Sequence, residues 1–237
     1  MPQEHVMRST VLVSLGALLV LDACAPQPGA CGAQQCTATG PIMTDTRATP
    51  AGAPNALHWF RNSAERVVLY QQSYAFARRL VTDWLHDNKI DDSKKPWAVV
   101  LDIDETVLDN SEYQQRLVVT GHPFEPSTWD TWVKERKAPA FEPARDFTKW
   151  VHDKGGKVIS VTNRDDSQCD ATSDNLKTDS VTIDALLCAP QGVTPPEKDT
   201  RFRAIREGIA RKDLGPLEIA LYVGDQVADC AGQSQTA

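Results

Sequence analysis

The chain has 237 residues, of which 41% are apolar and 24% are charged. This length suits one α/β domain with an elaboration, and the apolar share excludes an intrinsically disordered chain. The net charge of −7 and the pI near 5.2 exclude a broadly basic surface, so a nucleic-acid polymer is not an expected partner. A small anionic substrate is compatible with this net negative charge, because a metal and a few local cations can hold it.

An apolar run at residues 11–21 has the length of a signal-peptide core and is too short to span a bilayer. It ends in Leu21-Asp-Ala-Cys24, which resembles a bacterial lipobox with Cys24 as the lipidated residue. We therefore predict a lipoprotein signal peptide at residues 1–23 and an exported protein, in the periplasm or anchored in the outer membrane. The alternative is plain secretion, with cleavage close to the same site.

Residues 24–54 are rich in Pro, Gly, Ala, Thr and Gln and lack an apolar period, which predicts a flexible tether. The rest of the chain holds three cysteines, Cys169, Cys188 and Cys230. An exported protein can keep disulfides, so a Cys169–Cys188 bridge is plausible, although three cysteines leave one unpaired. The spacing of cysteine and histidine does not match a zinc site.

The chain from residue 55 has the pattern of an α/β domain. Apolar side chains three and four apart predict an amphipathic helix over residues 56–85. Short apolar runs predict buried strands at 97–101, 158–161 and 219–223. Helical spacing follows at Ala144, Phe147 and Val151, and again at Phe202, Ile205 and Ile209. Strands that alternate with helices in this way predict a doubly wound parallel sheet.

Residues 112–143 break this alternation, because they combine four prolines with several aromatic residues. The stretch predicts a small, mainly helical cap, and residues 55–95 are assigned to the same cap within a domain at 55–237. The aromatic residues either stack on a substrate ring or form the cap's own core; they are Tyr113, Phe124, Trp129 and Trp132.

Each predicted strand ends in a residue that can do chemistry, namely Asp102, Thr162 and Asp225. Doubly wound sheets bind ligands at the carboxyl ends of their strands, so these side chains are expected to meet. Asp102 and Asp104 are close enough to repel each other and need a cation or a shared proton. Mg²⁺ would keep one carboxylate ionised, so that it could attack phosphorus. The other would stay protonated and donate its proton to the leaving oxygen.

The stretch Asp102-Ile-Asp-Glu-Thr-Val-Leu-Asp109 resembles the first motif of the phosphatases of the haloacid-dehalogenase (HAD) superfamily. Thr162 resembles the second motif, Lys198 the third, and Gly224-Asp225 with Asp229 the fourth. Asp109-Asn-Ser-Glu-Tyr113, Trp129-Asp-Thr-Trp132 and Lys198-x-x-Arg201-Phe202 further resemble exported acid phosphatases of the lipoprotein e(P4) or 5′-nucleotidase type. The resemblance implies a Rossmann-like HAD fold with a cap.

For catalysis, the resemblance implies that Asp102 is the nucleophile and that Asp104 is the general acid and then the base. It implies a Mg²⁺ ion held by Asp102, the backbone carbonyl of Asp104, and Asp225. It also assigns the phosphoryl oxygens to three residues, Thr162, Asn163 and Lys198. Two supporting roles remain: Asp229 orients Lys198 or a metal-bound water, and Arg164 holds the site or substrate or forms a salt bridge.

The favoured interpretation is an exported, magnesium-dependent acid phosphatase that hydrolyses small phosphomonoesters, with nucleoside 5′-monophosphates among the candidates. Two alternatives stay open: a catalytically impaired surface lipoprotein that binds a ligand, and a HAD enzyme with another substrate class. A homo-oligomer is also left open. The chain ends twelve residues after Asp225, whereas the resembling proteins continue with another helix and strand, so a truncated C-terminus with reduced stability is expected.

Overall fold

The computed structural model describes the backbone of residues 13–14 and all of residues 52–90, 95–191 and 197–233. The strands are β1 (Val13–Ser14), β2 (Trp97–Leu101), β3 (Lys157–Asp165), β4 (Ala185–Ala189) and β5 (Glu218–Gly224). The helices are α1 (Asn55–Asn62), α2 (Ala64–Asp87), α3 (Ser111–Thr120), α4 (Pro126–Glu135), α5 (Glu142–Asp153), α6 (Cys169–Thr178) and α7 (Lys198–Glu207). Two 3-10 helices span Asp166–Gln168 and Val227–Asp229.

The strands form one parallel sheet in the order β1-β5-β2-β3-β4. The chain winds outward from β2 in both directions, since Val99 pairs with Val158 of β3 on one side and Leu221 of β5 on the other. The point where the winding reverses is a crevice at the carboxyl end of β2, where such sheets bind ligands. The predicted doubly wound parallel sheet is confirmed.

Helices cover both faces of the sheet, so every residue of β2 is buried, as its continuous apolar sequence predicts. On one face α2 and α5 supply Tyr74, Val81 and Phe147 to the larger core. On the other face α7 supplies Phe202 and Ile205 to a smaller core. These two layers fix β2, and with it the residues that follow its carboxyl end.

The predicted helix over residues 56–85 is two helices, α1 and α2, separated by Ser63. The Ser63 hydroxyl accepts a hydrogen bond from the amide of Arg66 at 3.1 Å, which caps the start of α2. Helix α2 buries Tyr74, Ala77 and Val81 in the main core beside the sheet. It is therefore a sheet-flanking helix, which corrects its assignment to the cap.

Helix α6 and strand β4 are absent from the sequence prediction. Helix α6 is largely polar, and β4 is a five-residue run that follows it closely. A further correction concerns Ile209, which was grouped with the buried face of α7. That helix ends at Glu207, the φ of 72° at Gly208 turns the chain, and Ile209 is 70% exposed.

The predicted signal peptide, Cys24 and most of the tether lie outside the described residues. Val13–Ser14 fall within the apolar run of that leader, and their backbone pairs in parallel with Val223–Gly224. Within the described ranges, none of the helices combines the length and apolar character needed to cross a membrane.

Candidate active site

The ends of β2 and β5 bring three carboxylates together at the centre of the sheet. Asp102 follows β2 directly, and its amide donates to the carbonyl of Val223 at 2.9 Å. Asp225 follows β5 directly, and Asp229 ends the 3-10 helix that comes next. One oxygen of each carboxylate lies within 4.8 Å of the others. Asp102, Asp225 and Asp229 thus form a cluster that could hold a divalent metal.

Gly224 permits the close approach of Asp229 to the end of β5. A Cβ atom at position 224 would lie 2.2 Å from the Cβ of Asp229, a distance that non-bonded carbons cannot adopt. The absence of a side chain at this position therefore lets the segment after β5 fold back over the strand and bring Asp229 into the cluster.

Lys198, the first residue of α7, lies between two of the carboxylates. Its Nζ donates to Oδ1 of Asp102 and, at 2.6 Å, to Oδ1 of Asp229. The other oxygen of Asp229 accepts from the amide of Gln226 at 2.9 Å, so both Asp229 oxygens are engaged. Burial lowers the pKa of Lys198, but the charges of Asp102 and Asp229 outweigh burial and raise it overall. This geometry fits Asp229 as the residue that orients Lys198.

The carboxyls of Asp102 and Asp225 lie where an ionised group needs a compensating positive charge. Burial raises the pKa of Asp102 to about 7 against the lowering effect of Lys198. Burial, with a further contribution from Asp229, raises the pKa of Asp225 to about 6. A divalent cation would supply the missing charge, and carboxylate oxygens are the ligands that Mg²⁺ prefers. The donor set therefore fits a divalent metal at Asp102 and Asp225.

Asp104 lies outside this cluster and is held by its own network. Its Oδ1 accepts from Nη2 of Arg164 at 2.7 Å and from Nδ2 of Asn110 at 2.8 Å. The indole of Trp132, which can only donate, bonds to Oδ1 of Asn110 at 2.9 Å, so Nδ2 of Asn110 must face Asp104. Thr172 on α6 accepts from Nη1 of Arg164 at 3.1 Å. The salt-bridge alternative for Arg164 is therefore the one observed, and its partner is Asp104.

The end of β3 is a bulge rather than a regular strand end. Val161 pairs with Leu187 of β4, and the next pair is Asp165 with Ala189, so three residues of β3 stand opposite one residue of β4. Bulges redirect side chains and are common next to active sites. Here the bulge comprises residues 162–164, the segment for which the sequence predicts phosphate binding.

The three bulge residues have different environments. Thr162 is fully buried, and its hydroxyl accepts from the amide of Arg164 at 3.1 Å. Arg164 is also buried and faces Asp104. Asn163 is exposed, and its Oδ1 accepts from Nη2 of Arg201 at 3.1 Å. The Oδ1 of Asn163 therefore serves Arg201, while the Nδ2 of the same side chain is a donor that a phosphoryl group could use.

Arg201 is a site residue to which the sequence assigned no role. Its Nη1 donates to the carbonyl oxygens of Thr162 and Leu187, the latter at 3.1 Å. Thr162 is the first residue of the bulge, and Leu187 is the last β4 residue that pairs before it. Their carbonyls therefore lie where the β3–β4 ladder is interrupted, and buried carbonyls need partners. Because Arg201 lies one turn after Lys198, helix α7 positions both the cation beside Asp102 and the bulge.

A disulfide fixes the strand opposite the bulge. Cys188 of β4 is bonded to Cys169, the first residue of α6, with a Cα–Cα distance of 6.0 Å. The sequence left the pairing of the three cysteines open, and Cys230 is the one that is buried with a free thiol. The bond joins β4, whose Leu187 carbonyl accepts from Arg201, to α6, whose Thr172 accepts from Arg164. It therefore holds together the partners of the two arginines that contact the bulge.

The turn after Asp104 is held by two buried tyrosines of α2. The Tyr70 hydroxyl donates to the carbonyl of Glu105, and the Tyr74 hydroxyl donates to the carbonyl of Thr106 at 2.7 Å. Glu105 adopts a φ of +55°, which is uncommon for a residue with a side chain. Burial, with the charge of Asp104 second, raises the pKa of Glu105 well above its usual range.

The aromatic residues at 112–143 pack mainly against one another. Trp132 and Tyr113 are buried and stacked, with ring centroids 6.5 Å apart. Trp129 contacts the ring of Tyr113 at 5.1 Å, and the guanidinium of Arg164 lies 5.4 Å from the Trp129 ring centroid. Phe124 is 56% exposed. The rings therefore form a small core that also supports the Asp104 network.

Comparison with known proteins gives two consistent matches. A family model described as HAD superfamily, subfamily IIIB (acid phosphatase), matches residues 15–237. The chain is similar to the class C acid phosphatase from Bacillus anthracis, with 30% identity, a TM-score of 0.60, and coverage of 75% of this chain and 70% of that chain. The structure of the class C acid phosphatase from Bacillus anthracis with tungstate bound is similar at 29% identity, with the same coverage and TM-score.

Proposed function

Because the chain belongs to the subfamily IIIB acid phosphatases of the HAD superfamily, we propose that it hydrolyses small phosphomonoesters through an aspartyl-phosphate on Asp102. The observation that carries this mechanism is the position of Asp102, buried at the carboxyl end of β2 with Lys198 bonded to one oxygen. A buried carboxylate next to a cation is a usable nucleophile, and the same cation can neutralise the incoming phosphoryl group.

In the first step, a carboxylate oxygen of Asp102 bonds to phosphorus, and the bond between phosphorus and the ester oxygen breaks. Asp104 gives its proton to that ester oxygen, which leaves as an alcohol. Oδ1 of Asp104 accepts close donors from Asn110 and Arg164, at 2.8 and 2.7 Å, whereas Oδ2 accepts from Nε of Arg164 at 3.3 Å, so Oδ2 is the oxygen proposed to carry the transferable proton. Thr162 and Lys198 bind the phosphoryl oxygens during this step.

In the second step, Asp104 is a carboxylate and takes a proton from a water molecule. The oxygen of that water bonds to phosphorus, the bond to Asp102 breaks, and inorganic phosphate is released. Asp104 is then protonated again and Asp102 is free. Arg164 keeps the Asp104 carboxyl in one orientation through both steps, because it donates to that group from β3.

We propose Mg²⁺ as the metal, held by the side chains of Asp102 and Asp225 and the backbone carbonyl of Asp104. When bound, the ion offsets the repulsion between the nucleophile and the phosphate dianion. The charge shortage at Asp102 and Asp225 supports this choice, as does the engagement of both Asp229 oxygens elsewhere.

The substrate and the location are proposed more broadly. The related class C acid phosphatase structure with tungstate supports an oxyanion site, because tungstate is a tetrahedral anion like phosphate. Nucleoside 5′-monophosphates are the substrates to test first, together with simple aryl phosphates. The apolar run that ends in the lipobox-like Leu21-Asp-Ala-Cys24 supports export, with Cys24 as the lipid-anchor site in the outer membrane.

The test is release of phosphate by the purified full-length chain. An aryl phosphate and nucleoside monophosphates are assayed at acid and neutral pH, with Mg²⁺ and with EDTA. We expect turnover with Mg²⁺, loss of turnover with EDTA, and no turnover for Asp102→Asn. Turnover that survives EDTA would remove the metal from the proposal. If the wild-type chain released no phosphate from any of these substrates, the result would favour a ligand-binding lipoprotein instead.

A further inference from the structure

Asn110 occupies the position that caps helix α3, but its side chain has a different partner. Asn is favoured at this position because its side-chain oxygen usually accepts from an amide of the first helical turn. Within the described part of the chain, the Asn110 side chain makes no such bond to α3. The carboxylate of Asp109 accepts from the amide of Ser111 instead, at 2.8 Å. The fully buried Asn110 side chain is thereby left to contact Asp104.

Two donors fix the orientation of the Asn110 amide. Its Oδ1 accepts from Nε1 of Trp132 at 2.9 Å and from Nη2 of Arg164 at 3.2 Å, and neither of these groups can accept a hydrogen bond. A half-turn of the amide would bring its NH₂ group against both donors and its oxygen against Asp104. Because buried donors without partners are costly, Nδ2 stays 2.8 Å from Oδ1 of Asp104.

The indole of Trp132 is itself held on both sides. Its ring is 1% exposed and stacks on Tyr113, and the guanidinium of Arg116 lies 4.9 Å from its ring centroid. Arg116 donates in turn to Glu135 of α4 at 2.7 Å. These contacts fix the direction of the indole N–H. The packing of α3 against α4 therefore sets the orientation of the Asn110 amide.

This orientation matters for the two roles of Asp104. The Asp104 side chain is 26% exposed, so burial alone does not hold its carboxyl in place. An Asn110 oxygen turned toward Asp104 would repel the carboxylate of the second step. In the first step, the same oxygen would accept the proton that the ester oxygen needs. Small errors in the position of a reacting group can cost a large part of the rate.

We propose that Asn110 is a positioning residue for Asp104, and that Trp132 sets the orientation of the Asn110 amide. This inference rests on the proposed phosphatase function and adds two residues to it. Through them, helix α4 acts on the group that protonates the leaving oxygen.

The test compares benzyl phosphate with 4-nitrophenyl phosphate, which both carry one ring. Benzyl phosphate releases an alcohol whose oxygen must be protonated, whereas 4-nitrophenolate is a weak base that can leave without a proton. The measured quantity is the ratio of kcat/KM for benzyl phosphate to kcat/KM for 4-nitrophenyl phosphate. Because both values come from one preparation, the ratio does not depend on the fraction of folded protein.

The single variants should lower this ratio by different amounts. We expect Asn110→Ala to lower it about tenfold, which is part of the contribution of general acid catalysis. Trp132→Phe keeps a ring but removes the indole N–H, and it should lower the ratio about threefold, since Arg164 still donates to Asn110. Trp97→Phe, at a buried tryptophan at the start of β2, is the matched control and should leave the ratio unchanged.

The double variant tests whether Trp132 acts through Asn110. Adding Trp132→Phe to Asn110→Ala should lower the ratio no further, because the amide that Trp132 orients is already gone. A further threefold loss would overturn this role of Trp132. If Asn110→Ala lowered kcat/KM equally for both esters, or left both unchanged, Asn110 would not position Asp104.

Failure of the proposed function would give a different result. If the wild-type chain hydrolyses neither ester, the proposed phosphatase function fails. If it hydrolyses 4-nitrophenyl phosphate alone, proton donation by Asp104 fails, and the positioning role of Asn110 fails with it.

Discussion

The two sides of the active site are built in different ways. On the carboxylate side, Asp102 and Asp225 follow β2 and β5, whose carboxyl ends pair without interruption, and Lys198 supplies a cation that bonds to Asp102 and Asp229. On the bulge side, β3 departs from its ladder at residues 162–164, and Arg201 bonds to the carbonyls beside the interruption. The carboxylate side concentrates charge, whereas the bulge side concentrates backbone groups that lack strand partners.

This difference separates two kinds of mutational effect. A change on the carboxylate side should act mainly on the chemistry, because the strand ends that reach the site stay paired: residues 99–101 pair in step with 221–223, and the register shift lies farther back, between Ala98 and Val99. A change on the bulge side should lower stability as well as activity, because side chains there replace the backbone hydrogen bonds that the bulge interrupts. Activity and stability measured together therefore test the comparison.

The largest effect is expected for Lys198→Met. The change removes the cation that bonds to Asp102 and Asp229, and that would also face the phosphoryl oxygens. We expect kcat/KM to fall on the order of 10²–10³-fold, as for the loss of one charge-stabilising group. Lys212→Met, at an exposed lysine, is the control and should leave kcat/KM unchanged. A loss smaller than about tenfold would show that Lys198 is not part of the chemistry.

Arg201→Met should have the next largest effect, and it should act on both properties. The carbonyls of Thr162 and Leu187 lose a donor, which costs about 1–3 kcal/mol for each group left unsatisfied. We expect a lower Tm and a roughly 10- to 100-fold lower kcat/KM, because Thr162 shifts with the bulge. Arg203→Met, at an exposed position of the same helix, should change neither. Normal activity with a lowered Tm would contradict a role in positioning the phosphate site.

Removing the disulfide should lower stability much more than activity. Cys169→Ala with Cys188→Ala frees β4 from α6, and we expect the free energy of unfolding to fall by about 2–4 kcal/mol. The loss of kcat/KM should be only a few-fold, because Arg201 still bridges the bulge. Reducing agent should reproduce the loss of stability in the wild-type chain and leave the double variant unaffected. If reducing agent lowered the stability of the wild-type chain and of the double variant equally, the Cys169–Cys188 bond would not be the cause of the loss.

The smallest effect is a pH-dependent change in Tm that belongs to the carboxylate side. The folded pKa values of Asp102 (about 7) and Asp225 (about 6) lie above the unfolded value near 3.9. The folded state thus binds more protons between these values, so metal-free stability should fall as pH rises from about 4 to 7. Mg²⁺ binds the ionised carboxylates, so the rise in Tm that it causes should grow over the same range. Asp102→Asn should reduce both trends, and a Mg²⁺ effect that is larger at acid pH would contradict this account.

The carboxylate side could be predicted from the sequence because its signals are local. Apolar runs followed at once by Asp102 and Asp225 mark buried strands that deliver carboxylates to one edge of the sheet. The pairing of Cys169 with Cys188, in contrast, was left open by the sequence and is established by the structure.

The bulge side could not be predicted in the same way, because it depends on contacts between distant segments. The bulge exists only relative to the pairing of β3 with β4, a strand that was not among those predicted from the sequence. Arg201 acts through two carbonyls, and a sequence does not show which carbonyls lack partners. The links from Trp132 to Asn110 and from Asn110 to Asp104 likewise follow from the packing of α4.

The central claim is that Asp102 forms the covalent intermediate. The most direct test is an acid quench of the full-length chain during turnover of a phosphomonoester with Mg²⁺, followed by mass-spectrometric mapping of the phosphoryl group. The account predicts that the group is found on Asp102 and is absent when Asp102→Asn is treated in the same way. A phosphoryl group on another residue, or full turnover by Asp102→Asn, would contradict it.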